Sequence, residues 1–183
     1  MENPERTRVS KHTCHFPEGM PMSEQSVPDV ALGAVIGLME ILDDLGGRED
    51  VFRLASQLRM ELDDILPVME AGVMLGFIDV KKGDAELTEL GGRFLASDMN
   101  ARKRMVCAQI EKLGPFKELV AELRARKGKR MPRRAYLNMM LTRLYSEDAR
   151  ALLHTLIDWG RYGELIGYNE DSDEIYLDQP ITL

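Results

Sequence analysis

The chain is poor in the features that would make its chemistry obvious. Its two cysteines, Cys14 and Cys107, are too few for a disulfide framework in 183 residues. No apolar run approaches the ~18 residues that would span a bilayer. Residues 1–19 carry charge without the apolar stretch of a secretory leader, so the simplest expected location is the cytoplasm. There is no excess of positive charge. A net charge of −7 and an isoelectric point near 5.1 argue against a general nucleic-acid binder, whose affinity rests on neutralising phosphates. The string GxxxxGK[ST], whose backbone amides and lysine hold phosphates, does not occur. The histidines are His12, His15 and His154, and a nucleophilic triad needs a histidine beside a serine or cysteine. His154 stands among Leu152, Leu153 and Leu156 at helical spacing, where a surface or half-buried helix histidine is the plainer reading. The carboxylates are spread over helix faces and turns, as on a solvated surface. No enzyme and no organic cofactor is expected.

What is present is the composition of a globular protein with a real core, 44% hydrophobic and 30% charged. Residues 1–28 lack periodicity and are broken by Pro4, Pro17, Gly19, Pro21 and Pro28, so a flexible tail is expected. Within it KHTCH brings together His12, Cys14 and His15, weak candidates for metal ligands. Their spacing matches no standard zinc motif, and a fourth ligand would have to come from elsewhere, such as Cys107. Incidental tail residues are the preferred reading.

Order is expected to begin near Asp29, an N-cap candidate after Pro28. Leu32, Val35, Leu38, Met39 and Leu42 recur at helical spacing up to Gly46-Gly47. A second helix opens at Glu49 or Asp50 with Val51, Leu54, Ala55 and Leu58 as its stripe. A third opens at Asp63 or Asp64, with Pro67 near its first turn. The period then changes to alternation in FIDVKK (77–82), and after Gly83-Asp84 the segment AELT returns, giving a hairpin. Further on, Val106, Ile110 and Leu113, then Phe116, Leu119, Val120 and Leu123, mark helices broken at Gly114-Pro115. Residues 124–134, RARKGKRMPRR, hold seven basic residues in eleven. A helix around Leu137, Met140 and Leu141 follows, then one capped by Ser146 that runs to about Gly163, then a second hairpin over 164–177.

The two hairpin regions, EAGVMLGFIDVKKGDAELT and DWGRYGELIGYNEDSDEIYL, share a pattern. Each has an acidic residue, a glycine two positions later, a helix end, and then strand, polar turn and strand. The expected fold is therefore mainly α with small β-hairpins (α+β). It comprises winged-helix-like units at 29–99 and 133–183, joined by connecting helices and a basic linker over 100–132. The methionines on apolar stripes, such as Met39, Met69 and Met140, are expected in the core.

Neither unit looks built to read DNA. The third helix has Asp63, Asp64 and Glu70 as its polar residues and no cation, with only Lys81 and Lys82 in the following hairpin. The second unit sets Arg150 and Arg161 against Glu147, Asp148, Asp158 and the acidic turn NEDSDE. Protein interaction is the better expectation. Its candidate contacts are Arg124, Arg126, Lys127, Lys129, Arg130, Arg133 and Arg134, for an acidic protein surface, lipid head groups or RNA. A solvated basic linker is the plain alternative. Trp159 and Tyr162 are candidate anchors for a partner, with packing in the core as the competing role.

The strings GLMEILDDLGGREDVFRLASQLRMELDDILPVMEAGVMLGF, GDAELTELGGRFL and TLIDWGRYGELIGYNEDSDEIYL resemble the AAA-associated C-terminal domain family over about residues 28–177. That domain follows the nucleotide-binding domain in some ATPase subunits of nitrate/sulfonate/taurine-type ABC transporters. The resemblance implies a cytoplasmic accessory or regulatory module of an importer for nitrate, sulfonates or bicarbonate, peripheral to the inner membrane through a partner. It implies no ATP hydrolysis here, since Walker A and ABC signature strings are missing, and it supplies no catalytic residue. The leading expectation is a non-catalytic module partnering an ABC ATPase or permease subunit. A winged-helix transcription regulator is the alternative. A homodimer is also expected, on the ground that the stripe from Val106 to Leu123 exceeds what a connector needs.

Overall fold

The computed structural model describes residues 27–178, and the candidate ligands His12, Cys14 and His15 lie outside them. In chain order the elements are α1 (Leu32–Asp44), β1 (Arg48–Asp50), α2 (Val51–Leu58), α3 (Leu62–Met74), β2 (Ile78–Lys81), β3 (Asp84–Leu87), α4 (Glu89–Leu95), α5 (Met99–Ile110), α6 (Gly114–Ala125), β4 (Arg130–Pro132), α7 (Arg133–Met140), α8 (Ser146–Tyr162), β5 (Ile166–Asn169) and β6 (Glu174–Leu177). The fold is mainly α with two small antiparallel sheets, as expected.

Each sheet has three strands rather than the two of a hairpin, in the orders β1-β3-β2 and β4-β6-β5. Their edge strands, RED and RMP, are too short to show alternation and exist because a hairpin strand pairs with them. Asp50, expected to start a helix, ends β1 and caps α2, accepting from Arg53 N at 3.0 Å.

Two stretches of chain run through the same order, helix, strand, helix, helix, strand, strand. The counterparts start 82 residues apart at Leu32 and Gly114, Arg48 and Arg130, and Val51 and Arg133. Backbone contacts repeat as well. Phe77 N donates to Gly72 O and Leu165 N to Gly160 O, both at 3.0 Å. Val51 N donates to Gly83 O, and Arg133 N to Asp173 O. The shared glycine has one job in both copies. A Cβ on Gly72 would lie 2.6 Å from Ile78 Cδ1, and one on Gly160 would lie 2.5 Å from Ile166 Cγ1, so any larger residue would force the facing isoleucine to shift.

This repeat redraws the expected division. The second unit begins with α6, not with Arg133. Helix α6 holds the place of α1, and β4, expected in a linker, is an edge of the second sheet. Only α4 and α5 are left to connect the units. It also changes the reading of the stripe expected to leave room for a second copy. Val106, Ile110, Leu113, Phe116, Leu119, Val120 and Leu123 are all buried within this one chain, in a core continuous with that of the first unit. Met39, Met69 and Met140 are buried there too.

The units are locked together where α8 meets the start of α1. Helix α1 has no side-chain cap of its own, and Asp29 does not supply one. Instead Asp158 on α8 accepts from Leu32 N at 2.9 Å, Trp159 Nε1 donates to Val30 O at 2.8 Å, and the Thr155 hydroxyl donates to Pro28 O. Helix α5 adds a Lys103–Glu164 pair at 2.6 Å. No helix among the described residues is long and apolar enough to cross a membrane.

Candidate interaction surfaces

The basic run is not a free linker. It forms the end of α6, a 3-10 turn over Lys127–Lys129, all of β4 and the first residues of α7. Part of its charge is met by the acidic turn that joins β5 to β6. Arg133 Nε donates to Asp173 Oδ1 at 2.7 Å, and Arg130 Nη1 stands 3.9 Å from Glu174. Arg126 pairs with Glu122 one helical turn back. The Tyr168 hydroxyl donates to the same Asp173 oxygen at 2.7 Å. The two donors, Arg133 first, hold the Asp173 carboxyl below its ordinary pKa. The turn keeps its shape because Asn169 Oδ1 accepts from the amides of Asp171 and Ser172, and because Asp173 takes a left-handed φ of 50°. An acidic wing tip thus folds back on its own chain's basic strand.

What remains is a smaller cationic patch. Arg124, Lys127, Lys129 and Arg134 are exposed and have no ion-pair partner among the described residues. Apolar side chains stand exposed in the α7–α8 turn, Leu141, Leu144 and Tyr145, the last 85% accessible. The helical spacing placed Leu141 and Leu144 in a stripe with Leu137 and Met140, whereas α7 ends at Met140, and it gave Tyr145 no role.

Trp159 is not available as a partner anchor. It is fully buried, its ring is stacked on Phe116 at 6.4 Å, and its N–H is spent on Val30. A large aromatic fills the junction between the units better than any smaller side chain. Tyr162 is half-buried beside Met99, and burial raises its phenol pKa. Cys107, the proposed distant metal ligand, is a half-buried thiol pushed up first by burial and then by Glu111 and Glu164. No group of three or more histidine, cysteine or carboxylate side chains among the described residues could hold a metal.

The helices in the reading position differ. α3 exposes Asp63, Asp64 and Glu70, as expected. α8 departs from the expectation of a neutral or acidic face. Next to the side covered by residues 28–32 it carries Arg150, His154 and Arg161, and these meet Arg133, Leu137 and Tyr168 in a cleft of about 290 Å³ between α7, α8 and β5. Periodicity gave no sign of this grouping, since Arg133 and Tyr168 come from other elements.

The sequence profile of the C-terminal AAA-associated domain matches residues 52–169, from the start of α2 to the end of β5. The chain belongs to that family. No curated protein and no solved structure matches it.

Proposed function

We propose that this protein is a non-catalytic interaction and regulatory module that works against an ABC transporter ATPase or permease subunit, in the cytoplasm and held at the inner membrane through that partner. The observation that carries the reading is the fate of the two reading helices. α3 offers carboxylates where a DNA reader offers arginine or asparagine, and one side of α8 is closed by residues 28–32 of its own chain. Surfaces that remain open suit protein contact. The patch of Arg124, Lys127, Lys129 and Arg134 would meet an acidic face, with Leu141, Leu144 and Tyr145 as apolar contacts. The family membership supports a place beside an ATPase. Capture of the tagged chain from cells that express a nitrate, sulfonate or bicarbonate importer tests this. Transporter subunits should be recovered, and their absence would count against the proposal.

A second reading, a winged-helix transcription regulator, draws on the arginines of the α8 cleft. Their surroundings oppose it, with Glu147 and Asp148 in the first turn of α8 and Glu170 and Asp171 in the wing tip. Fluorescence anisotropy against duplex DNA at two salt concentrations decides between them. The interaction module shows weak binding without sequence preference. Tight, sequence-selective binding with a steep salt slope would favour the regulator.

A further inference from the structure

The cleft between α7, α8 and β5 is set apart from the rest of the surface by its chemistry. Its floor is apolar, built from Leu137, Leu153 and Ile157, and its rim carries three guanidinium groups in a protein whose net charge is −7. Two of these already have a carboxylate nearby. Arg133 is bonded to Asp173, and Arg161 stands 3.9 Å from Glu170. Arg150 has no hydrogen-bond or ion-pair partner among the described residues. The Tyr168 hydroxyl lines the same cleft, and Asp158, which also borders it, accepts from Leu32 N through one carboxylate oxygen. His154 stands at the opening, 3.4 Å from Asp29.

Planar guanidinium groups match the two oxygens of a carboxylate or phosphate, and an apolar floor beneath them rewards a ligand with a hydrophobic body. The volume falls at the lower limit of small-molecule sites, which hold ligands in cavities of roughly 300–1,000 Å³. We propose that this cleft binds a small organic oxyanion, a carboxylate or phosphate ester whose apolar part is about the size of one aromatic ring. Arg150 is the principal anchor, and Arg133 and Arg161 are the flanking cations. The site is independent of the partner surface above, so either reading can fail alone.

Isothermal titration of the whole chain with phenyl phosphate, benzoate, inorganic phosphate and benzylamine tests it. Saturable one-site binding of phenyl phosphate, of benzoate or of both is expected, and whichever arm binds names the anion. Inorganic phosphate should bind more weakly and benzylamine not at all. Arg150→Gln should lower affinity about tenfold. Arg53→Gln, which removes an exposed charge on α2 outside both the cleft and the cationic patch, should leave it unchanged. Both variants change exposed side chains, so an unaltered circular dichroism spectrum is expected of each. The proposal is overturned if neither organic anion saturates at millimolar concentration, or if inorganic phosphate binds as tightly as phenyl phosphate. It is also overturned if Arg53→Gln weakens binding as much as Arg150→Gln.

Discussion

Replacing the two junction glycines by alanine separates a flexible contact from a rigid one. At Gly72 the new methyl group would meet first the tip of a side chain, Ile78 Cδ1 at 2.6 Å, with Cγ1 at 3.1 Å. At Gly160 it would meet Ile166 Cγ1 at 2.5 Å, an atom one bond from Cβ that gives way only by rotation about χ1, which a β-branched side chain resists, or by a shift of the strand. Overpacking costs about 1–3 kcal/mol, and alanine recovers about 1 kcal/mol of helix propensity over glycine. Gly72→Ala should therefore sit near the low end of that range and come out about neutral, whereas Gly160→Ala should destabilise by about 2 kcal/mol. Ile→Val removes Cδ1 and keeps a γ-carbon. In an Ile78→Val background Gly72→Ala should become stabilising by less than about 1 kcal/mol, since a γ-carbon and Cβ stay within 3.1 and 3.3 Å, while in an Ile166→Val background Gly160→Ala should remain destabilising. Urea unfolding of the single and double variants measures both couplings. A neutral Gly160→Ala, or rescue at position 166 instead of 78, would refute the account of how these helices and strands cross.

Other outcomes follow from the same packing. Trp159 is the one tryptophan, so its emission should be blue-shifted and shielded from acrylamide, and Trp159→Phe should cost about 1–3 kcal/mol by stranding the Val30 carbonyl; emission typical of an exposed indole would contradict its place in the core. Leu119→Glu should unfold the chain, with loss of helical ellipticity, because Leu119 is fully buried; a folded monomer released from a dimer by this change would contradict that. Asp173 has a depressed carboxyl pKa in the folded state, so its contribution to stability is present above the unfolded carboxylate range and is lost as pH falls through the lowered value. Carboxyl carbon NMR should show Asp173 titrating below the ordinary aspartate value, and Arg133→Gln should raise it only part of the way back, because the Tyr168 hydroxyl still donates to it.

Much of the architecture was legible because helix periodicity and turn residues are local. The stripes of α1, α2 and α6, the hairpin at Gly83 and the matching glycines at 72 and 160 could all be read along the chain. What escaped reading depends on partners distant in sequence. β1 and β4 are three residues each and become strands only against β3 and β6. The cap of α1 comes from Asp158, on the other unit, so Asp29 looked like the better choice. The apolar surplus of 106–123 looked like a dimer face because nothing local says that α6 is the founding helix of a second unit. The basic run, read as an interaction site or a solvated linker, gave no sign of its partial neutralisation, because carboxylates that meet part of it lie beyond α8. The α8 cleft joins residues from three elements, and no spacing rule brings those together.

The open cationic patch is proposed to serve a protein partner and not DNA. The most direct measurement compares affinity capture by the wild-type chain with capture by the quadruple variant Arg124→Glu, Lys127→Glu, Lys129→Glu and Arg134→Glu, in cells expressing a nitrate, sulfonate or bicarbonate importer. These side chains are exposed and without ion-pair partners among the described residues, so the variant should fold. The account predicts that transporter subunits co-purify with the wild type and are lost from the variant. Undiminished recovery by the variant, or no transporter subunit with either chain, would contradict it.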